Sequence, residues 1–175
     1  MTFPLAWGDK VSPEFRSIVI NIAKSYSWLP ERASDLMACM AFESGETFSP
    51  KVKNGAGSGA IGLIQFMPAT AAYLGTTPHD LIAMTAEEQL QFVRKYFKPY
   101  ASHILSLSDM YMAILLPKYV GADDNAILFS GGIGYRQNSG LDIDKDGKIT
   151  KAEATALVRA KLNKGLQFAI EEEWV

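Results

Sequence analysis

Two stretches of this chain hold residues whose types and spacing could do chemistry: a glutamate ending an apolar helical face, and an acidic loop near the C-terminus. Leu36 and Met40 lie one helical turn apart and Glu43 follows a turn later, so the three share a helix face. A carboxylate is expensive to bury there unpaired. Burial disfavours its charged form and raises its pKa. A glutamic acid still protonated near neutrality can donate to a leaving group, typically worth ~10²–10⁴ in rate, which is what breaking a glycosidic bond requires. Spacing alone also fits a helix-end acid facing water. Gly45 breaks the helix, and Gly55, Gly57, Gly59 and Gly62 let backbone approach a ligand. Gln65 and the loop amides are candidates to hydrogen-bond a sugar or its acetamido groups, and Phe66 and Tyr73 to offer ring faces.

The acidic loop, residues 142–153, reads Asp-Ile-Asp-Lys-Asp-Gly-Lys-Ile-Thr-Lys-Ala-Glu. Calcium takes about six to eight oxygens at ~2.3–2.6 Å, and this spacing wraps one chain around one ion. Asp142, Asp144 and Asp146 would ligate through side chains, Lys148 through its carbonyl, Thr150 directly or through water, and Glu153 in bidentate fashion. Gly147 permits the sharp turn and Ile149 is an apolar anchor. The alternative is a solvated acidic turn. Tyr135 to Leu141 lacks amphipathic spacing, so the expectation is a lone calcium loop joined only to its exit helix, a structural clamp rather than a sensor.

Several elements must position these groups. Ser12-Pro13-Glu14 starts a helix that runs to about Tyr26, with Phe15, Ile18, Val19 and Ile22 on its apolar face. The Glu43 helix starts between Glu31 and Asp35. Residues 45–66 are loop-like, with room for a short hairpin, and Pro68 opens a helix ended by Gly75. Thr85 and Glu88 form a capping box for a helix to Lys98, Ser108 caps one through Leu116, and Thr150 with Glu153 caps a last one to about Asn163. The class is therefore mainly α, with about six helices and little strand. The 175 residues read as one domain with a real core. A net charge of −2 gives no basic field for nucleic acid or anionic lipid. Cys39, the only cysteine, cannot pair within the chain and reads as core. No apolar run approaches the ~20 residues of a membrane span, and the N-terminus shows no secretory signal pattern. His79 and His103 read as surface residues, and Trp7, Trp28 and Trp174 as packing anchors.

Glu43-Ser44, followed by Gly59-Ala60-Ile61-Gly62-Leu63-Ile64-Gln65-Phe66-Met67-Pro68-Ala69-Thr70-Ala71, resembles the soluble lytic transglycosylase and goose-type lysozyme superfamily. There a helix-borne Glu-Ser precedes Gly-x-x-Gly-Leu-x-Gln-x-Met-Pro-x-Thr-Ala. The likeness is firm over residues 33–75 and loose over 76–140. Together with the calcium-type loop it looks most like bacteriophage cell-wall-degrading, endolysin-like enzymes. The resemblance implies a lysozyme-like fold and cleavage of the β-1,4 bond between N-acetylmuramic acid and N-acetylglucosamine. Glu43 would be the catalytic acid, with Ser44, Gln65, Phe66 and Tyr135 on the substrate side. The family's third motif, a Tyr-Asn pair shortly after an Ala, has no clean counterpart. Tyr135 is the first choice for its tyrosine and Tyr111 the alternative.

In a lytic transglycosylase the same carboxyl next removes the proton of the muramyl C6 hydroxyl, closing a 1,6-anhydro ring. A hydrolase instead needs a group to position water, usually a second carboxylate. Glu46 is the nearest candidate, and no Asp or Glu occurs between Lys51 and Thr70, which favours transglycosylation. The rival from another class is an inert, calcium-stabilised wall-binding or virion module. The expected partner is bacterial peptidoglycan, with no nucleic acid and a monomeric chain. The expected cofactor is a structural calcium ion, with none needed for the chemistry. Without a signal peptide, the wall would be reached through a holin-type pore, in a virion, or by specialised secretion.

Overall fold

The computed structural model describes residues 1–175. Its centre is α2 (Pro30–Glu43), which carries Glu43 as its last residue. Every residue from Ala33 to Ala41 is buried, so the helix has no solvent face along that span. This differs from the one-sided pattern read in the sequence. The small residues Ala33, Ser34, Ala38, Cys39 and Ala41 let neighbours close in from all sides. Of the buried span only Ser34 and Asp35 are polar, each held by a partner: Ser34 by the Ala6 amide and Pro4 carbonyl, Asp35 by Arg32. The neighbours are α1 (Pro13–Ser25), α6 (Leu107–Leu115), α8 (Lys151–Gly165) and strand β1 (Thr2–Leu5).

Local signals set most helix starts. The Ser12 hydroxyl accepts from the Phe15 amide at 3.0 Å to open α1. Phe15, Val19 and Ile22 are buried as expected, while Ile20 replaces the half-buried Ile18. After α3 (Pro68–Tyr73) comes an unanticipated α4 (Pro78–Ala83), capped by Thr77. The Thr85–Glu88 capping box opens α5 (Ala86–Phe97), which buries Leu90, Val93 and Phe97. Helix α6 is capped by Ser106, not Ser108, whose buried hydroxyl donates to Asp124 at 2.7 Å.

The chain ends meet. β1 pairs antiparallel with β4 (Ile170–Glu173), Thr2 opposite Glu173. Trp7 stacks on Phe168 and donates its indole N–H to the Lys161 carbonyl at 3.0 Å. It lies so close to α8 that a Cβ at Gly165 would fall 2.2 Å from its ring nitrogen. Trp28 donates to the Ala101 carbonyl, and Trp174 meets Phe3 edge-on. All three tryptophans thus anchor packing. β2 (Ile127–Ser130) pairs with β3 (Lys148–Thr150), the strand inside the acidic loop. Between them lies α7 (Gly132–Asn138), a helix with no buried residue.

Candidate active site

Helix α2 ends at Glu43, and the chain then turns sharply. Gly45, Glu46 and Phe48 all take positive φ. Ser44 secures the turn: its hydroxyl accepts from the Phe48 amide at 2.9 Å, and the residue is 1% exposed. Phe48 is pinned between Trp7 and Phe15. Ser44 therefore fixes the backbone behind the acid and does not reach a substrate, contrary to expectation.

Glu43 stands among the edges of α5 and α6. Its carboxyl has no hydrogen-bond partner in the protein, and burial alone pushes its pKa up to about 7. Tyr96 of α5 and Tyr111 of α6 are near enough for the Glu43 charge to raise their own pKa values, after the larger effect of their burial. Tyr111 packs edge-on against Phe42, and Tyr96 donates its hydroxyl to the Ala113 carbonyl. Asp35 is the other strongly raised carboxyl, held near 6 by burial, but Arg32 and Arg159 attract its charged form. Glu43 has no such cation. The Glu46 carboxylate bonds Lys161 and Lys164 of α8, and those hydrogen bonds lower its pKa.

The Gly-rich loop is tied by amides. The Gln65 side-chain NH₂ donates to the Val52 and Gly62 carbonyls, both at 3.0 Å, which leaves its carbonyl oxygen without a protein partner. Short bridges pair Ile61 with Phe66 and with Lys53, a minimal form of the expected hairpin. Gln89, fully buried on α5, accepts from the Leu63 amide and donates to the Pro50 and Leu81 carbonyls. A Cβ at Gly62 would lie 2.3 Å from that Gln89 oxygen, so this position needs glycine. Sequence reasoning missed Gln89. The signal was an amide one turn before Val93, in the apolar stripe of α5. It also missed Tyr96, one turn after Val93.

Phe66 is 2% exposed and meets the Tyr96 ring edge-on, so it is core and offers no face to a sugar. Tyr73 is 81% exposed and borders a cleft of about 500 Å³ that Tyr96, Tyr100, Ile114 and Pro117 also line. No charged residue lines that cleft. Tyr135 is elsewhere: its hydroxyl donates to Asp142 at 2.7 Å. Of the two tyrosines weighed for the third motif, Tyr111 lies near Glu43, as Tyr96 does, and Tyr135 belongs to the acidic loop.

In that loop one carboxylate oxygen each from Asp142, Asp144, Asp146 and Glu153 lies within 4.8 Å of the others. Oxygens sharing one calcium ion at ~2.3–2.6 Å can be no more than about 5 Å apart, so this donor set fits calcium. Asp142 accepts from the Asp146 and Gly147 amides as well as from Tyr135. Ile149 is fully buried and pairs with Phe129. The entry side differs from expectation, because α7 precedes the loop. It escaped the periodicity test because none of its residues is fully buried and only Tyr135 packs partly against the core. Lys148 takes its place in β3. Just past the loop, Lys151 is fully buried and bonds Asp109 of α6 and the Tyr119 and Ala122 carbonyls, locking the start of α8 to α6.

A fold built of helices around α2, with a partnerless acid at the end of that helix, is what a lysozyme-like glycosidase requires. The transglycosylase SLT domain model matches residues 21–113, more than half of the chain. No curated protein and no solved structure matches it. The chain belongs to the transglycosylase SLT domain family, whose lysozyme-like members cleave glycosidic bonds of peptidoglycan. The matched region contains Glu43, Gln65, Tyr96 and Tyr111; the acidic loop lies outside it. No helix is long and apolar enough to cross a membrane.

Proposed function

We propose that residues 1–175 form one catalytic domain, a monomeric lytic transglycosylase that cuts the β-1,4 bond between N-acetylmuramic acid and N-acetylglucosamine, with Glu43 as both acid and base. The observation that carries this reading is the Glu43 carboxyl at the end of the buried helix: half-buried, without a hydrogen-bond partner, and with its pKa pushed up to about 7 by desolvation. Protonated Glu43 donates to the bridging oxygen, and the glycosidic bond to the muramyl C1 breaks. The resulting carboxylate takes the proton of the C6 hydroxyl as that oxygen bonds to C1. Glu43 is then protonated again, and the products are a 1,6-anhydromuramyl end and a free N-acetylglucosamine hydroxyl. One carboxyl suffices because the sugar supplies its own nucleophile. Glu46, the nearest candidate for positioning water, is engaged by two lysines. The uncharged tyrosine-lined cleft beside Tyr96 suits sugar rings, whose apolar faces pack on aromatic surfaces, and the free Gln65 oxygen can accept from a sugar hydroxyl or amide.

In the same proposal Asp142, Asp144, Asp146, Glu153 and the Lys148 carbonyl hold a calcium ion. Bound there, the ion supplies charge neutralisation for the loop and no chemistry. The pairing of this domain with such a loop supports the bacteriophage wall-degrading type, reaching the wall by holin-type release, in a virion or by secretion. Purified cell walls test the chemistry. The wild type should release muropeptides with anhydro ends by mass spectrometry. Glu43→Gln should keep its fold and lose ~10²–10⁴ in rate. Unchanged lysis by that variant removes Glu43 from its role, and reducing ends in the wild-type products identify a hydrolytic muramidase instead.

A further inference from the structure

The Gly-rich loop borders a cavity of about 520 Å³, apart from the cleft at Tyr96; Glu43 lines neither. Ala60 and Ile61, both 4% exposed, form part of its apolar lining with Ile82. Lys53, Asn54 and His79 bring polar side chains to it. No carboxylate lines it, and none occurs between Lys51 and Thr70. The chain's ion pairs occupy Arg16, Arg32, Lys151, Lys161 and Lys164. The neighbouring Lys51 ammonium is bonded to the Ile82 carbonyl at 2.7 Å. Lys53 has neither kind of partner, and the Gly59 amide on the same wall hydrogen-bonds nothing in the protein.

The two clefts thus differ in charge. The one beside Tyr96 is lined without charges and the one at Lys53 is cationic with no anion. Peptidoglycan has the matching asymmetry: a glycan strand whose muramyl lactyl groups carry short peptides ending in free carboxylates. We infer that the Lys53–His79 cavity receives a carboxylate of the stem peptide, making these two residues determinants of specificity for peptide-bearing strands. The Lys53 ammonium supplies the countercharge and His79 and Asn54 supply hydrogen-bond donors, while Ile61 and Ile82 pack the peptide's apolar stems. This rests on the proposed glycan substrate but not on the chemistry at Glu43.

Calorimetry with the Glu43→Gln protein separates binding from turnover. Uncross-linked strands bearing stem peptides should bind about tenfold tighter than strands stripped by an amidase, a difference of ~1.4 kcal/mol, within the range for hydrogen bonds to charged groups. The preference should shrink with added salt. Lys53→Ala/His79→Ala should abolish it without changing affinity for stripped strands or the melting temperature, and Lys53→Glu should weaken peptide-bearing strands further. Equal affinity for the two strands overturns the inference, as does a preference that survives the double variant. So does tighter binding of a polyglycerol phosphate chain, which would make the site one for phosphate polymers. Cleavage of stripped strands by the wild type reads the chemistry separately. Absence of cleavage of both stripped and peptide-bearing strands counts against the transglycosylase reading alone, since the binding preference is read on the Glu43→Gln protein.

Discussion

Glu43 and Asp142 are both carboxyls withdrawn from water, and they behave in opposite ways. Glu43 has no donor within reach, and burial raises it to about 7. Asp142, 1% exposed, accepts from the Tyr135 hydroxyl and from the Gly147 and Asp146 amides, and the Tyr135 bond leads in holding its pKa below the usual range. Burial without donors stores a proton, whereas burial with donors fixes a charge. One arrangement equips a group to give a proton away and the other to meet a cation. Asp35 marks the middle ground: buried beside Arg32, it rises only to about 6.

Replacing each carboxyl by its amide tests this contrast, because the two changes should have opposite signs. In the folded protein Glu43 titrates near 7 against an ordinary value of 4.5. The folded state therefore keeps a proton that the unfolded chain releases between those values. The Glu43 contribution to stability is full below about pH 4.5 and is lost as pH rises through 7, a loss of roughly 3 kcal/mol. Glu43→Gln has no group to ionise there. It should match the wild type at pH 4 and exceed it by roughly 3 kcal/mol at pH 8 in urea unfolding. A stability difference that does not vary with pH would show that the carboxyl is not desolvated in solution.

The acidic loop should respond the other way. With calcium at a hundredfold excess over its dissociation constant, the wild type should gain about 2.7 kcal/mol, and a chelator should remove the gain. Asp142→Asn keeps the shape but lowers the negative charge facing the ion, so its melting temperature should rise far less with calcium. An unchanged wild-type melting temperature across a calcium titration would reduce the loop to a solvated turn.

What could be read from the sequence divides along the same line, local against distant. The end of the Glu43 helix, the glycine positions around Gln65 and the two capping boxes are written in contiguous residues and form where expected. That helix starts at Pro30, ahead of the expected Glu31 to Asp35, because a proline fits the first helical position. The choice between Tyr111 and Tyr135 depends on which tyrosine the fold carries to the end of α2, and spacing holds no information on that. Ser44 and Phe66 have ligand-like chemistry, but the turn and the α5 packing bury them. The β1–β4 pairing joins residues at opposite ends of the chain. The Lys151–Asp109 contact, buried between α8 and α6, also joins residues far apart in sequence. Helix α7 went unseen because amphipathic spacing detects only helices that bury a face.

Glu46 sharpens the contrast at its weakest point, as a third acid near the same turn with a different fate. It reaches Lys161 and Lys164 from a position of positive φ, and its side chain and those of both lysines remain partly exposed. Exposed ion pairs are worth about 0–1 kcal/mol, so Glu46→Gln should change stability by less than about 1 kcal/mol, and high salt should erase even that. Its effect on products carries more weight. If Glu46 positioned a hydrolytic water, its amide would shift released muropeptides from reducing toward anhydro ends. If the lysines hold it out of the chemistry, the proportion of anhydro ends in the Glu46→Gln digest should equal that of the wild type. The proton at Glu43 and the C6 hydroxyl of the sugar are then sufficient for both halves of the reaction.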